Sequence, residues 1–135
     1  MLRPAADAPA VVVCSTCRHS REAREDGEGL RGGERLARAL AALREAEPRY
    51  QAIDIQPMPC LFACSAFCTV HLRAPGKIGY VLGRFTPDPD SARAILDYAL
   101  AYAASAHGQV PYAAWPEGVK GHFLVRVPPP GFVAA

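Results

Sequence analysis

The sequence predicts a single α/β domain in which a mixed sheet is flanked by two helices, with the element order β-α-β-β-β-α. Three patterns support this prediction: a short apolar run near residue 10, two amphipathic helical stretches, and a hairpin between those stretches. At 135 residues the chain is long enough to bury a core of its own as one domain, residues 1–135. We expect residues 8–108 to form the core and residues 109–135 to form an extended, proline-rich tail.

The first half of the chain predicts one strand, one loop and one helix. The run Ala10–Cys14 is continuously apolar and mostly β-branched, which is typical of a strand buried on both faces. The charged stretch from Arg18 to Gly29 has no apolar period and is expected to be a surface loop. A helix is predicted to begin near Glu34, because apolar residues then recur at three- and four-residue spacing, and Pro48 ends it.

The second half predicts a strand, a hairpin and a second helix. Residues Tyr50–Gln56 alternate between apolar and polar types, which favours a half-buried strand with Ile53 and Ile55 on one face. Apolar residues from Val70 to Leu82 flank the turn at 74–77, where a Pro-Gly step favours a type II turn. The last helix is predicted to be capped by Asp88, with Pro89 at its first position and Gly108 as its stop. In the tail, residues 122–127 are a candidate short strand, and Trp115 and Phe123 are expected to pack the tail on the domain.

The five cysteines are the strongest chemical signal in the sequence. Cys14 and Cys17 close the first strand, and Cys60, Cys64 and Cys68 recur at every fourth residue in a second segment. Thiols concentrated at two points can meet in the folded chain and bind a metal centre through four thiolates. An odd number of cysteines cannot all pair as disulfides within one chain, and such clusters are more typical of metal-binding or redox proteins.

The cysteine pattern leaves other interpretations open. The same thiolates could hold zinc, as a structural ion or in a metal-handling protein. Cys14-x-x-Cys17 after a strand could be a thioredoxin-like dithiol, although a charged stretch follows it instead of an apolar helix. The regularly spaced thiols could also be ordinary buried residues on one helix face, and His19 or His71 could serve as a ligand.

Composition excludes several functional classes. The formal net charge is only +2 and the charged stretch mixes both signs, so nucleic acid is not an expected partner. The sequence shows neither a signal-peptide pattern nor a run of about 18 uncharged apolar residues, so we expect a cytoplasmic protein that does not bind a membrane. No nucleophile elbow, phosphate-binding glycine loop or zinc-protease motif is present, which favours a carrier or metal-binding protein over an enzyme.

Several motifs give the chain a resemblance to known families. Val-Val-Val-Cys14, then Cys60-Leu-Phe-Ala-Cys64, a hairpin, and Thr86-Pro87-Asp88 before a helix resemble the thioredoxin-like 2Fe-2S ferredoxins and the related cluster domain of a small subunit of respiratory NADH dehydrogenase. The longer patterns Val-Cys-x-x-Cys-Arg and Cys-Leu-x-Ala-Cys-Ser-x-x-Cys-Thr-Val are similar to an uncharacterised bacterial family of small predicted metal-binding proteins.

The resemblance implies a thioredoxin-like fold, a 2Fe-2S cluster and a role in one-electron transfer. It assigns the cluster ligands to Cys14, Cys17, Cys60 and Cys64, with Cys68 as an additional thiol that could replace Cys17. It also implies a redox partner protein, whose identity stays open, and a homodimer. Phe62 and Phe67 are expected to shield the cluster, and the charges of Arg18 and Arg73 to adjust its potential.

Overall fold

The structure, a computed structural model, describes residues 1–135 and contains one five-stranded sheet and two α-helices. This architecture confirms the predicted α/β class, and its mixed sheet flanked by helices matches a thioredoxin-like fold. Short 3-10 turns at 48–52, 64–66, 112–114 and 117–119 connect the larger elements. The strands are β1 (Ala10–Cys14), β2 (Asp54–Met58), β3 (Val70–Arg73), β4 (Gly79–Leu82) and β5 (Phe123–Val127), and the helices are α1 (Gly32–Ala46) and α2 (Pro89–Ala104).

The order of the strands places both cysteine segments at one edge of the sheet. The order is β2-β1-β3-β4-β5, with β1 parallel to β2 and all other neighbours antiparallel. Cys14 lies opposite Met58 across the parallel pair, and Val13 lies opposite Val70 across the antiparallel pair. Because β1 and β2 end at the same edge and β3 begins there, the chain segments that carry all five cysteines start or finish at that edge.

The core lies between one face of the sheet and the two helices, which pack against each other. All five residues of β1 are buried, as a strand covered on both faces requires. Tyr50, Tyr98 and Tyr102 are among the largest fully buried side chains. A buried hydroxyl group is normally paired in a hydrogen bond, and two of these tyrosines have such a partner. Tyr50 donates to Asp97 across 2.5 Å, and Tyr102 donates to the carbonyl oxygen of Ile78 across 2.6 Å.

The two helices follow their sequence signals closely. α1 begins at Gly32, slightly earlier than predicted, and ends before Pro48. Asp88 caps α2 by accepting a hydrogen bond from the backbone N–H of Ser91 at 2.8 Å, and Pro89 occupies the first helical position. α2 ends at Ala104, before the predicted stop at Gly108.

The hairpin turn is confirmed, whereas the strand predicted for Tyr50–Gln56 starts too early. Gly76 has φ +71° and the N–H of Lys77 donates to Ala74, as a Pro-Gly turn requires. Residues Pro48–Ala52 form a 3-10 turn, and β2 runs from Asp54 to Met58. β2 tolerates Pro57 because it is the outermost strand of the sheet, with a neighbouring strand on one side only.

The polar side of β2 also differs from the prediction. The alternation of residue types puts Gln56 on the face opposite Ile53 and Ile55, the polar face of a half-buried strand, yet Gln56 is only 8 % exposed. Its amide donates to the carbonyl oxygen of Ala6 and accepts from Arg73, so the N-terminal segment covers it. The alternation of residue types within a strand cannot show that a distant segment of the chain buries one of its polar side chains.

The segment 109–135 does more than extend over the domain. The candidate strand is confirmed as β5, which pairs antiparallel with β4 and completes the sheet. Trp115 stacks on Phe123 with ring centroids 4.5 Å apart, and Val119 is fully buried in the core. None of the helices is both long enough and apolar enough to cross a bilayer.

Candidate metal centre

The loops that follow β1 and β2 meet at the sheet edge and bring the two cysteine segments together. The backbone N–H of Ser15 donates to Met58 across 2.8 Å. The carbonyl oxygen of Pro59 accepts from the thiol of Cys14 at 3.8 Å and also from the hydroxyl of Thr16. Residue 14 therefore lies beside the residue that precedes Cys60, although 45 positions separate Cys14 from Pro59 in the sequence.

Two glycines allow the start of α1 to press against the first cysteine loop. A Cβ atom on Gly33 would overlap the carbonyl group of Cys14 and would lie 2.9 Å from the backbone nitrogen of Cys17. A Cβ atom on Gly32 would lie 2.7 Å from the Sγ atom of Cys68. The N–H of Gly33 donates to the carbonyl oxygen of Cys17 at 3.1 Å. The first turn of α1 therefore packs directly on the backbone of the Cys14–Cys17 loop and on the sulfur of Cys68, and neither glycine leaves room for a side chain.

Cys14 and Cys17 form a buried pair with unlike proton affinities. Cys14 is 1 % exposed and Cys17 is 4 % exposed. A hydrogen bond from the Cys17 thiol, supported by backbone N–H groups of Thr16 and Leu61, lowers the pKa of Cys14 to about 5. Donating that bond, together with burial, raises the pKa of Cys17, whose sulfur also lies 3.3 Å from the hydroxyl of Thr69. Of the two thiols, Cys14 is therefore the one that loses its proton more readily.

Cys60 and Cys64 form a second pair on the solvent side of the site. Their sulfur atoms lie 3.6 Å apart, and the backbone N–H of Phe62 donates to the sulfur of Cys60 at 3.3 Å. The hydrogen bond and charge of Cys60 raise the pKa of Cys64, and the charge of Cys14 acts in the same direction. The sulfur of Cys14 lies 3.8 Å from the carbonyl oxygen of Pro59, the residue before Cys60, so the two pairs lie at the same end of the sheet.

Cys68 is separated from both pairs by its own hydrogen bonds. It is fully buried, and its thiol donates to the carbonyl oxygen of Arg18 at 3.3 Å and to that of His19 at 3.9 Å. Burial, and then the charge of Cys14, raise the pKa of Cys68 to about 12. Cys68 is therefore a protonated core thiol that ties the first cysteine loop to β3.

Two buried nitrogen atoms near the cysteines have no hydrogen-bond partner within the chain. They are Nε of Arg18 and Nδ1 of His19. Arg18 lines a recess of about 390 Å³ together with Arg21, Cys64, Ser65 and Phe67. Buried donors in native proteins are almost always satisfied, so this buried Nε can donate to an acceptor that the chain itself does not supply. The sequence identified Arg18 only as a charge near the site; the burial of its Nε was not predictable, because it depends on the tertiary structure.

Three side chains lie elsewhere than the sequence suggested. Phe62 is 96 % exposed and so does not shield the cysteines. Arg73 lies at the far end of β3, opposite Ala10, and donates to Gln56. His71 packs beside Gly79 on β4, not at the cysteines. The expectations that Phe62 shields the site and that Arg73 lies near it are wrong, because β3 runs away from the edge and the cysteine loop turns outward.

The thiols are arranged as two pairs. No group of three or more His, Cys, Asp or Glu side chains in the structure surrounds a common point as ligands of one metal ion. One pair, from the loop after β1, is buried, and the other, from the loop after β2, reaches solvent. Two thiol pairs at the same end of the sheet, with backbone donors and a guanidinium that makes no salt bridge, can accommodate a negatively charged centre larger than a single ion.

Comparison with solved structures places the chain among thioredoxin-like folds. It is similar to a thioredoxin-like [2Fe-2S] ferredoxin from Aquifex aeolicus, with a TM-score of 0.57 and 19% sequence identity over 95% of this chain and 100% of that chain. A second structure, the wild-type thioredoxin-like [2Fe-2S] ferredoxin from Aquifex aeolicus at 1.5 Å resolution, matches with a TM-score of 0.50 and 22% identity over 70% of this chain and 87% of that one. At these identities the likeness establishes the fold alone.

Comparison with sequences gives a family. No curated protein matches the chain. A family described as protein of unknown function, DUF1636, matches residues 11–129, a range that includes all five cysteines and the whole of both helices. The chain therefore belongs to the DUF1636 family.

Proposed function

We propose that this protein binds a 2Fe-2S cluster through Cys14, Cys17, Cys60 and Cys64 and acts as a one-electron carrier. The observation that carries the proposal is the meeting of two thiol pairs, one from each loop, at a single edge of the sheet. In a 2Fe-2S cluster each iron takes two protein ligands, so two pairs are the arrangement that such a cluster uses. When bound, the cluster would supply the redox chemistry by accepting and releasing one electron.

The hydrogen bonds of the two pairs and of Cys68 support this choice of ligands. Cys14 already favours the thiolate that metal coordination needs, and a bound cation would remove the proton that Cys17 retains. Cys68 instead keeps its proton and donates hydrogen bonds to the carbonyl oxygens of Arg18 and His19. Using Cys68 as a ligand would leave these contacts unmade and would require the thiol to turn out of the core. We therefore propose Cys17, not Cys68, as the fourth ligand.

The residues around the two pairs would offset the negative charge of the cluster. Four thiolates and two sulfides concentrate negative charge, which nearby N–H groups offset. The backbone N–H groups of Thr16, Leu61 and Phe62 point at sulfur, and the unpaired Nε of Arg18 is a charged donor at the same place. The exposed pair would give electrons a short route to a partner, while the buried pair would anchor the cluster in the core.

One preparation tests the proposal. The protein is purified without oxygen, its visible absorption is recorded, and its iron and acid-labile sulfide are quantified. We expect a coloured protein with equal amounts of iron and sulfide. A colourless protein without iron contradicts the proposal, and zinc in its place, without sulfide, favours the zinc-binding alternative.

One observation favours a second candidate, thiol–disulfide exchange. Cys14 has a pKa of about 5 and Cys17 a raised pKa, which resembles the unlike thiols of a dithiol enzyme. However, Cys14 is only 1 % exposed, so a disulfide substrate cannot reach its sulfur without an opening of the loop. Reduction of a small disulfide by the metal-free protein, lost in Cys14→Ser and kept in Cys60→Ser, would support this candidate.

A further inference from the structure

We infer that the surface around Phe62 docks an acidic redox protein, with the aromatic ring as its central contact. This inference rests on the proposed function, because it names the kind of partner that would exchange electrons with the cysteine site. It depends on three features of the same edge: an exposed aromatic ring, a backbone held in the left-handed region, and arginines without ion-pair partners.

Phe62 combines two costly properties. Its side chain is 96 % exposed, and its φ angle is +61°, a conformation that bulky L residues rarely adopt. Its backbone N–H donates to the sulfur of Cys60, so the residue lies directly beside the exposed thiol pair. Folding gains nothing from an apolar ring in water, and glycine would fit this backbone better. Aromatic residues of this kind are typical anchors of protein–protein contacts.

Unpaired cationic groups surround the same edge. Arg21 lines the recess beside Cys64, Arg31 donates to the carbonyl oxygen of Thr16 at 3.1 Å, and the N–H of Arg84 donates to Phe67 at 2.8 Å. None of these three arginines makes a salt bridge in the structure. By contrast, Arg35, Arg38, Arg49 and Arg93 are all held by carboxylates.

The carboxylates of the neighbouring loop do not cancel this charge. Arg35 pairs with both Asp26 and Glu28, whereas Glu22 and Glu25 are exposed acids of the loop without a salt bridge. Against these four carboxylates the edge carries six arginines, so its side chains keep two more positive than negative charges; the six are Arg18, Arg21, Arg24, Arg31, Arg35 and Arg84. A partner with carboxylates around its own redox centre fits this distribution, because complementary charge steers the encounter while the Phe62 ring excludes water at the point of contact.

The test measures electron transfer of the purified, cluster-loaded protein at gold electrodes. The electrodes carry monolayers that end in carboxylate groups, in ammonium groups, or in a mixture of carboxylate and methyl groups. We expect wild-type electron transfer to be roughly tenfold faster on carboxylate than on ammonium at low salt, and the difference to shrink as salt is added. We expect tighter adsorption on the mixed monolayer than on carboxylate alone.

Matched variants locate the effect. Arg21→Glu and Arg84→Glu should slow electron transfer on carboxylate by roughly tenfold. Arg126→Glu makes the same change of charge at an exposed position on β5 and should leave the rate within about twofold of wild type, because the edge is intact. Phe62→Ser should remove the preference for the mixed monolayer. The visible spectrum of each variant shows whether the cluster is still bound.

The outcomes separate this inference from the proposed function. If the cluster is present but Arg21→Glu and Arg126→Glu change the rate equally, the docking surface is wrong and the electron carrier stands. If wild type prefers ammonium to carboxylate, the charge of the partner is wrong. A protein without iron and without a one-electron signal on any surface overturns both.

Discussion

The thiol of Cys68 donates to the carbonyl oxygen of Arg18 across 3.3 Å, so the last cysteine of the chain is a core residue that anchors the loop of the first pair. This relationship predicts that Cys68→Ala keeps iron and sulfide at the wild-type ratio to protein. It should lower the free energy of unfolding by about 1–2 kcal/mol, since a buried sulfur and its hydrogen bonds are lost. Iron analysis and urea unfolding of the same preparation measure both effects.

Cys17→Ser is the comparison for that variant. If Cys17 is the fourth ligand, replacing its sulfur should strongly reduce the visible absorption and the iron content, although the variant still contains Cys68. The opposite result, loss of iron in Cys68→Ala and retention in Cys17→Ser, would show that Cys68 is the ligand and that the loop rearranges when metal binds.

The contact between α1 and the first cysteine loop predicts a large effect of one methyl group. In Gly33→Ala the new Cβ would overlap the carbonyl group of Cys14, so the helix must move away from the loop. We expect a loss of stability of about 1–3 kcal/mol, together with a reduced iron content. Gly27→Ala is the control, because a Cβ atom there meets nothing within 4 Å. Equal stability of the two variants would contradict the close packing.

The low pKa of Cys14 predicts how the stability of the metal-free protein changes with pH. The thiol has a model value of 9.0 when free and about 5 in the folded chain, so between these values the unfolded chain binds the additional proton. The free energy of unfolding should therefore rise as pH increases from about 5 to 9, by at most about 1.4 kcal/mol per pH unit from this group. The contribution is complete above pH 9 and is lost as pH falls towards 5.

Cys14→Ser tests this origin of the pH dependence. The variant keeps the carboxylates and His71, so the difference between its urea unfolding and that of wild type isolates the thiol. Cys68 has the opposite effect above pH 9. Its pKa is about 12 in the folded protein, so the folded chain keeps a proton that the unfolded chain releases, and the free energy of unfolding falls as pH rises. Parallel curves for wild type and Cys14→Ser between pH 5 and 9 would show that Cys14 is not a thiolate.

Removing the buried hydroxyl group of Tyr102 should destabilise the protein more than removing that of Tyr98, which lies on the same helix. Tyr102 donates to the carbonyl oxygen of Ile78 at 2.6 Å, and this bond joins α2 to the start of β4. Tyr102→Phe should lower the free energy of unfolding by about 1–2 kcal/mol, because a buried acceptor loses its partner. Tyr98→Phe is the matched control, since the Tyr98 hydroxyl makes no hydrogen bond within the chain. Thermal or urea unfolding of the two variants makes the comparison.

Much of the fold was predictable because its signals are local. The β-branched run of β1, the cap at Asp88 and the Pro-Gly turn at Gly76 each depend on neighbours in sequence, and all three are confirmed. The start of β2 was not predictable in this way. The register of β2 is set by pairing with β1, and the burial of Gln56 is set by the N-terminal segment and Arg73.

The sequence by itself determined that five thiols stand in two short segments of an α/β chain, since residue types and spacing are properties of the linear order. Only the tertiary structure decided which thiols form the two pairs and which one is a core residue. Parallel pairing of β1 with β2 places Cys14 beside Pro59, and Gly32 and Gly33 let α1 close over the loop. Burial and hydrogen-bond partners, which arise only when distant segments meet, then lower the pKa of Cys14 and make Cys68 a core thiol with a raised pKa.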